Sequence, residues 1–416
     1  MHHERKKHHY DIIIAGGGMN GTSLALALAP LNLRVAVIEA VARGDQQQPS
    51  FDDRSTALSR SSQRMFEAMG LWQDIAKSST PIKSIHVSDR GRFGFSHIDA
   101  KEQGVEALGY VVINRTLGDV LQTALLQVDG LELICPGKIC AVDLDPELAA
   151  VRIEESNGTL RGLTCNLLIA ADGANSAVRK MVGINASRVD YNQLAVVGNL
   201  KPEKPPMNRA FERFTDSGPI AMLPITDDRA AFVWTLPPVK AEKVMQLSDG
   251  AFTKELQDAF GFRLGKLTRV GQRAAYPLVL SKANRLVSGR CVLVGNAAHG
   301  LHPVAAQGFN LGLRDVAALS ECIADALHDS HSTFDIGGAE ILEKYAQWRR
   351  ADQRKLIRIT DGIVRLFGNA RTAVRVLRNL GMLGFDLMPG VRSLFAKHMM
   401  GLTERLPRLS RGIPLE

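Results

Sequence analysis

The chain has 416 residues, 45% of them hydrophobic and 23% charged, with a formal net charge of +8. This length and balance predict a globular protein of two or three domains and argue against a disordered or fibrous chain. Much of the positive charge lies after Gln353, which favours an anionic membrane surface or an acidic partner. No motif for nucleic-acid binding accompanies it, so nucleic acid is not an expected partner.

Membrane spans, disulfides and metal sites are not predicted. No apolar run approaches the ~18 residues of a membrane span, and the N-terminus has no signal-peptide core. The five cysteines lie far apart without a C-x-x-C pair, which is typical of buried thiols in a reducing cytosol. We therefore expect a cytoplasmic protein without a metal, with a polar and disordered leader over residues 1–9.

The first predicted element is a βαβ unit between Tyr10 and Glu39. An isoleucine-rich strand leads into glycines in G-x-G-x-x-G spacing, and a helix rich in Ala and Leu follows over residues 22–31. A second apolar strand over 34–38 ends at Glu39. Strand, glycines, helix, strand and acid therefore occur in the order that a dinucleotide-binding unit requires.

Each glycine of this turn has a separate physical role. Gly16 permits the tight turn, Gly18 lets a pyrophosphate approach the backbone, and Gly21 lets helix and strand pack closely. The helix N-terminus offers free N–H groups and a partial positive charge to the anion. Glu39 is placed to bind the ribose of an adenosine half, and an acid there favours FAD or NAD(H) over a 2′-phosphorylated cofactor.

Shorter elements follow in the next hundred residues. Residues 82–88 and 94–98 predict paired strands, and residues 115–126 have helical spacing. Residues 151–155 and 160–165 flank an Asn-Gly turn and predict a hairpin.

A second strand-to-helix turn comes at Asp172-Gly173, directly after an apolar strand. A residue in that place lies at the carboxyl edge of a sheet, where open α/β folds bind ligands. Asp172 is therefore a candidate ligand contact, and the alternative is a helix N-cap.

Strand-like segments separated by Pro, Gly and Asp turns fill residues 193–234, and a helix over 249–260 closes them. They predict a mixed or antiparallel sheet in a second domain that lies over the first. The α/β pattern returns with a buried strand at residues 290–295, a loop, and a helix from Gly308 to Leu327. Three strand-to-helix turns, at 16–21, 172–173 and 295–312, are thus predicted to converge on one ligand.

These three motifs together resemble the fingerprints of the class A flavoprotein aromatic hydroxylases, the p-hydroxybenzoate hydroxylase group. The likeness extends from the first strand to the region of residue 350. Within that group, the segments at 88–95, 210–224 and 295–315 resemble the ubiquinone-biosynthesis hydroxylases, in particular the branch acting on 2-polyprenyl-6-methoxyphenol. The broader group usually has Asp where this chain has Asn296, whereas this branch commonly carries Asn.

The resemblance implies an extended FAD across the three turns. Arg54 and Arg115 would flank the pyrophosphate or the ribityl chain, and Asn296 would bind the ribityl chain. Backbone N–H groups near Gly308, Phe309 and Asn310 would point at the N1–C2=O edge of the flavin. The full set of implied cofactor contacts is Gly16, Gly18, Met19, Asn20, Gly21, Glu39, Arg54, Arg115, Asp172, Gly173, Gly295, Asn296, Gly308, Phe309 and Asn310.

The implied reaction is a monooxygenation that uses NAD(P)H and O₂. A transiently bound nicotinamide would reduce the flavin, and a flavin C4a-hydroperoxide would transfer oxygen to an electron-rich phenol. His302 and Pro303 are the candidate catalytic residues, with a structural hydrogen bond as the alternative for the histidine. The candidate apolar wall for the substrate, each member of which is also explicable as core, is Phe211, Phe214, Met222, Pro224 and Trp234.

The predicted fold class is α/β, with a Rossmann-like FAD-binding domain, a mixed-sheet substrate domain and a C-terminal helical region. The FAD-binding domain is expected to be discontinuous. The predicted boundaries are 10–75, 105–180 and 275–340 for FAD binding, 76–104 and 181–274 for the substrate, and 341–416 for the helical region.

Several alternatives stay open at this point. The hydroxylase could act at another ring position or on a soluble aromatic compound. An FAD-dependent prenyl reductase and a non-catalytic FAD-binding subunit use the same cofactor domain. The basic C-terminal helices suit either packing within the protein or peripheral docking on the inner membrane or on other ubiquinone-biosynthesis proteins. The oligomeric state is left open.

Overall fold

The structure is a computed structural model that describes residues 8–42, 53–92, 94–300, 307–329, 335–368, 381, 384, 388–403 and 405–415. Along these residues the strands are β1 (His9–Ala15), β2 (Val35–Ile38), β3 (Ser55–Ser59), β4 (Ser79–Ile82), β5 (Ser84–Asp89), β6 (Phe95–Asp99), β7 (Gly109–Ile113), β8 (Leu131–Ile134), β9 (Gly137–Leu144), β10 (Ala149–Glu155), β11 (Leu160–Ala170), β12 (Ala186–Pro202), β13 (Arg209–Thr215), β14 (Gly218–Pro224), β15 (Ala230–Leu236), β16 (Leu267–Ala283), β17 (Val287–Ser288), β18 (Cys291–Leu293) and β19 (His299–Gly300).

The described residues also form ten α-helices. They are α1 (Met19–Leu28), α2 (Arg60–Ala68), α3 (Trp72–Ala76), α4 (Asn114–Leu125), α5 (Ala177–Met181), α6 (Pro238–Met245), α7 (Asp249–Phe260), α8 (Gly308–Asp329), α9 (Ala339–Gly368) and α10 (Pro389–Met399).

The first sheet is built around β1, which pairs in parallel with β2 on one side and with β11 on the other. β18 pairs in parallel with β11, so the carboxyl ends of β1, β11 and β18 lie side by side. Ile12, Ile13 and Ile14 are fully buried. A parallel strand covered on both faces has no polar side to alternate with, which explains the continuous apolar run in the sequence.

The second sheet has the order β19-β16-β12-β15-β14-β13-β5-β6. Its pairs are antiparallel except for β13 and β5, so the sheet is mixed, as predicted. One face, here called the outer face, packs beneath α6 and α7, where Trp234 lies 5.9 Å from Phe252 between ring centroids. On the other, inner face, Ala210 and Ala231 pack against Ile82 and Val111.

The third sheet, of order β3-β7-β4, lies between the two larger ones. The C-terminal segment returns to this region, since Ala396 of its last helix and Met400 directly after that helix pack with Ile98 and Leu108. Earlier in that segment, the buried Tyr345 hydroxyl of α9 donates to the Leu293 carbonyl at 2.9 Å, which ties α9 to the first sheet.

The predicted α/β fold is confirmed, and most element bounds agree within a few residues. β1 begins at His9, inside the predicted leader, and the His9 Nδ1 lies 3.0 Å from the Thr164 Oγ1. Two predicted domain boundaries also differ from the sheets: β4 lies beyond residue 76 but pairs with β7, and β16 runs through residue 275 without a break. Hydrogen bonds between neighbouring strands therefore join segments that the sequence analysis had assigned to different domains. The division into domains otherwise stays a prediction.

Among the helices of the described residues, none is both long enough and apolar enough to span a bilayer.

Candidate functional site

The glycine turn after β1 is shaped by two close backbone contacts. Gly16 has φ +101°, and a Cβ there would lie 2.7 Å from the Ala171 carbonyl oxygen and 2.9 Å from the Asp172 Cα. A Cβ on Gly21 would collide with the Gly16 carbonyl oxygen. The first turn is therefore closed only because both residues lack a side chain, and it touches the second predicted turn directly.

Glu39 is held at this same turn. Its carboxylate accepts the N–H of Gly17 at 2.7 Å and the N–H of Val41 at 2.8 Å. A Cβ on Gly17 would lie 2.9 Å from the Glu39 Cβ, so this middle glycine is needed to let the acid approach. The sequence interpretation gave Gly17 no role, although the run of three glycines was the available signal.

The helix that follows starts at the turn. Gly18 is the N-cap of α1 and Met19 is its first residue, so the free N–H groups of the first helical turn open at this place. Gly18 has no side chain that could accept a hydrogen bond from these N–H groups, so they are available to a ligand. A helix N-terminus of this kind attracts phosphate through its N–H groups and its dipole.

The two carboxylate oxygens of Asp172 have different surroundings. One carboxylate oxygen accepts the N–H of Val178 at 3.1 Å, as an N-terminal cap of α5 would. The other oxygen, Oδ1, is buried and has no hydrogen-bond partner in the described part of the chain. Gly173 beside it has φ +85° and open space where a Cβ would lie. A buried acceptor without a donor fits a hydroxyl group of a ligand.

The third turn meets the first through Asn20. Its amide is wedged between Gly295 and Gly312, and a Cβ on either glycine would collide with it. The Asn20 Oδ1 is a second buried acceptor that finds no donor among the residues described. Asn296, in the short 3₁₀ turn Gly295–Ala297, has an exposed side chain. The structure therefore brings all three predicted turns to one edge of the first sheet.

Two arginines lie at one flank of this edge. The Arg54 guanidinium stacks 4.5 Å from the centroid of the Tyr276 ring, and the Arg54 carbonyl accepts the N–H of Asn114 at 2.8 Å. Arg115 follows Asn114 and pairs with Asp53 at 3.2 Å, with both side chains more than 60% exposed. An exposed pair of this kind is worth about 0–1 kcal/mol, so it leaves Arg115 able to bind an anion.

The start of α8 is anchored by the side chain of Asn310. Its Oδ1 accepts the Ser59 N–H and the Ser62 hydroxyl, both at 2.8 Å, and its Nδ2 donates to the Ala57 carbonyl at 2.8 Å. This side chain therefore fastens α8 to β3, and the predicted contact with a cofactor falls to backbone groups alone. A Cβ on Gly308 would meet nothing within 4 Å, so the space beside the helix start is open. Phe309 packs partly against the core.

A buried charged cluster fixes the third turn. The Asp315 carboxylate lies 2.6 Å from His299 Nε2 and 2.7 Å from Arg349 Nε, and it also accepts the Gly295 N–H at 3.1 Å. Arg349 in turn donates to Asp352 at 2.6 Å. Burial alone would raise the pKa of Asp315, but His299 and Arg349 hold it well below its usual range.

This cluster was missed by sequence reasoning because its members are far apart in the chain. The available signals were an acid and a basic residue, Asp315 and Arg314, inside an apolar helix, and the Arg349–Asp352 spacing of one helical turn. His299 is fully enclosed and its Nε2 lies 2.6 Å from Asp315, so it positions the turn. His302 and Pro303, the predicted catalytic residues, lie outside the described residues.

Four of the five predicted substrate-wall residues lie on the outer face of the second sheet. Phe211, Met222 and Trp234 belong to the buried cluster beneath α6 and α7, and Pro224 pairs with Ala230 of that cluster. Sequence hydrophobicity does not reveal which face of a strand is covered by helices, and a role of these four residues in substrate binding stays a prediction. Phe214 alternates onto the inner face, at the end of its strand beside Asp89.

The residues at the sheet edge fit an FAD molecule. The N-terminus of α1 and two arginines suit a pyrophosphate, the Glu39 carboxylate suits a ribose, and the unpaired oxygens of Asn20 and Asp172 suit hydroxyl donors. Because the three turns contact one another, these acceptors and helix N-termini lie at one edge of the sheet, as an extended cofactor requires.

Comparisons with known proteins agree with this geometry. The family model described as FAD binding domain matches residues 9–360. Ubiquinone hydroxylase UbiL of Rhodospirillum rubrum is 36% identical over 97% of this chain and 93% of its own length. The 3-demethoxyubiquinol 3-hydroxylase of Escherichia coli is 31% identical over 94% of this chain and 98% of its own.

Solved structures show the same fold. The p-nitrophenol 4-monooxygenase PnpA of Pseudomonas putida superposes with a TM-score of 0.78 at 18% identity, covering 95% of this chain and 98% of that one. PqsL of Pseudomonas aeruginosa, a probable FAD-dependent monooxygenase, gives a TM-score of 0.72 at 22% identity over 90% of this chain and 100% of its own. The chain belongs to the FAD-binding-domain family of hydroxylases and monooxygenases, in which its relatives include the ubiquinone hydroxylases, and it is an FAD-dependent monooxygenase.

Proposed function

We propose that this enzyme inserts one oxygen atom from O₂ into the ring of a polyprenylated methoxyphenol during ubiquinone biosynthesis. NAD(P)H would serve as a transient electron donor. The observation that supports it most is the meeting of three FAD-binding turns in a chain that matches named ubiquinone hydroxylases along nearly its whole length. The substrate class comes from those relatives.

Bound FAD would supply the redox chemistry, taking hydride from the nicotinamide and passing the electrons to O₂. The chain's own residues hold and orient it. α1 and the arginine pair Arg54 and Arg115 would bind the pyrophosphate, Glu39 the adenosine ribose, and Asn296 the ribityl chain. The start of α8 would place positive charge near the flavin edge, which stabilises negative charge on the reduced ring.

An apolar cavity of about 80 Å³ lies at the start of α8. Asn310 and Ser59 border it on one side, and α10 closes it with Ala396 and Met399. Much of the remaining wall is aliphatic and includes Ile82, Ile85, Ile98 and Leu108. Such a lining keeps water from the reacting ring and accepts a hydrocarbon chain.

The test is oxygen-18 incorporation by the purified holoenzyme. The substrate would be 2-methoxy-6-geranylphenol, a short-chain analogue, with NAD(P)H under ¹⁸O₂ in ordinary water. We expect a product that carries one ¹⁸O atom, and the reverse labelling with H₂¹⁸O should leave the product unlabelled. NAD(P)H consumption with a reduced prenyl chain and no label would contradict the proposal and indicate a prenyl reductase.

We also propose peripheral contact with an anionic membrane at the cytoplasmic face, where a prenylated substrate would reside. Val391 and Leu394 of α10 are 45% and 65% exposed, and Met388 just before it is 56% exposed. Burial and the neighbouring Arg354 and Arg358 lower the pKa of Lys282, which marks a concentration of positive charge. The remaining residues of the predicted basic helices include 369–380, which lie outside the described residues.

Flotation with vesicles separates this contact from simple packing. Vesicles that contain phosphatidylglycerol should carry the wild-type protein upward, and the double variant V391E/L394E should bind less. Val239→Glu is the matched control, because Val239 is 81% exposed on α6 at another surface. Equal binding by all three proteins would contradict the contact. Contact with other ubiquinone-biosynthesis proteins is part of this proposal, and co-purification would test it. The same experiment would report the oligomeric state.

A further inference from the structure

Glu212 lies on the inner face of the second sheet. Along β13, Phe211 faces outward, where its ring lies 5.9 Å from that of His86, so the neighbouring Glu212 faces inward with Ala210. Its partners across the sheet are Val87 on β5 and Ala221 on β14, which share that face. Ala221 pairs in turn with Val233 on β15.

The cavity at the start of α8 is lined on β5 by Ile85, two residues before Val87, the sheet partner of Glu212. Ile85 lines that cavity together with Asn310, and Ala210 is its partner across the sheet. Glu212 and Val87 lie two residues further along the same pair of strands, about 7 Å away. A ring seated between the helix start and this sheet face would therefore lie beside the part of the sheet that carries Glu212.

The carboxyl group stands alone there. Glu212 is half-buried and makes no hydrogen bond or ion pair with any residue that the structure describes. Its sheet neighbours on the same face are apolar, Asp89 lies near the strand end, and Arg213 and His86 lie on the opposite face. Burial raises the pKa of Glu212 to about 7, and no charged group contributes to that shift. A carboxyl group on an apolar sheet face that makes no hydrogen bond or ion pair does not stabilise the fold, so it is a candidate for a functional role.

We propose that Glu212 is the catalytic base that accepts the phenolic proton of the substrate. This inference rests on the proposed function. The phenol O–H bond breaks, the proton moves to a carboxylate oxygen, and the freed electron pair is shared with the ring carbon that gains oxygen. The ring then loses its C–H proton to the second oxygen atom of O₂, and Glu212 returns its proton to the substrate oxygen. O₂ supplies the inserted atom, NAD(P)H supplies two electrons through the flavin, and the second oxygen atom leaves as water.

The test compares Glu212→Gln with wild type and with Glu255→Gln, an exposed control on α7. Gln keeps the size of Glu but does not take up a proton. We expect E212Q to lower kcat for hydroxylation of 2-methoxy-6-geranylphenol by about 10²-fold or more. Because burial raises the pKa of Glu212 to about 7, the wild-type kcat should rise as the pH increases through about 7. The kcat of E212Q should not depend on pH in this range. Glu212→Asp should restore part of kcat and the pH dependence.

A binding readout is independent of turnover. Perturbation of the bound-flavin spectrum would measure the Kd of the phenol and of its methyl ether in the absence of NAD(P)H. Wild type should prefer the phenol by about tenfold or more, because the ether has no proton to donate, and E212Q should lose most of that preference.

The outcomes separate the two proposals. Wild-type hydroxylation together with unchanged kcat, pH profile and phenol preference in E212Q would overturn the role of Glu212 and leave the proposed function intact. A wild-type enzyme that neither binds the phenol nor hydroxylates it would overturn both. Flavin content and thermal unfolding, measured on all four proteins, show that each variant is folded and loaded.

Discussion

The cofactor edge and the substrate face of this enzyme are built on different principles. At the edge, backbone geometry decides the structure: Gly16, Gly21 and Gly295 are glycines because another chain segment occupies the place of a Cβ. On the inner sheet face, where we propose that the substrate binds, alternation along strands decides which side chains point inward, so Glu212 faces inward while Phe211 faces the outer core. Backbone constraints are legible in a sequence as motifs, whereas the choice of face is not.

The largest effect is expected from breaking the edge with Gly16→Ala. The new Cβ would lie 2.7 Å from the Ala171 carbonyl oxygen at a φ of +101°. Strain and overpacking together should cost about 2–6 kcal/mol of unfolding free energy and abolish FAD retention. Thermal unfolding and the flavin absorbance of the purified protein measure both. Gly250→Ala on α7, where a Cβ meets nothing within 4 Å, should change neither by much.

The buried cluster behind the edge should come next, through Asp315→Asn. Removing this charge leaves His299 without its carboxylate and leaves Arg349 with Asp352 alone, which should cost about 3–5 kcal/mol at neutral pH. Because the folded pKa of Asp315 lies below its unfolded value, this stabilisation is present above about pH 4 and is lost as the pH falls further. Denaturant titrations at pH 7 and pH 3 should therefore show a difference from wild type that shrinks on acidification.

An exposed pair provides the matched control for that variant. Asp227 pairs with Arg229 at 3.1 Å and its side chain is 78% exposed. Asp227→Asn should therefore change stability by less than about 1 kcal/mol at either pH. A comparable loss in both variants would show that the buried cluster contributes no more than a surface pair.

A pair of variants sharpens the distinction between the two faces of the second sheet. Met222→Ala should cost about 2–5 kcal/mol, because Met222 is buried in the outer core, and should leave KM unchanged. Val233→Ala should change KM for the prenylated phenol with a smaller loss of stability, since Val233 lies half-buried on the inner face. Steady-state kinetics and denaturant unfolding on both proteins decide it, and a KM change in M222A alone would reverse the assignment of the faces.

The smallest effect concerns the stability of Glu212→Gln without substrate. Burial raises the Glu212 pKa from 4.5 to about 7, so ionising it in the folded protein is unfavourable. That cost is absent below about pH 4, grows as the pH rises towards 7 and is constant above. E212Q should thus be more stable than wild type by about 1–3 kcal/mol at pH 8 and equal to it at pH 4. Equal melting curves at both pH values would show that the carboxyl group is solvated.

The sequence predicted those parts of the fold that local chemistry dictates. The Gly16–Gly21 turn, the Asn157-Gly158 hairpin and the helix over 249–260 each follow from residues adjacent in the chain. Strand order, the sheet face of Trp234 and the Asp315–Arg349 pair depend on segments far apart in sequence, so no local pattern encodes them. Asn310 shows the limit most clearly, because a residue in a cofactor motif uses its side chain to anchor a helix.

The central claim is that three chain crossings at one sheet edge hold a single FAD. Its most direct measurement is the absorbance spectrum and FAD content of the purified chain, followed by thermal unfolding after the flavin is removed and FAD is added back. The account predicts about one FAD per chain, a rise in melting temperature with added FAD, and loss of both in Gly16→Ala. A folded chain that retains no flavin, and whose melting temperature does not respond to FAD, would contradict it.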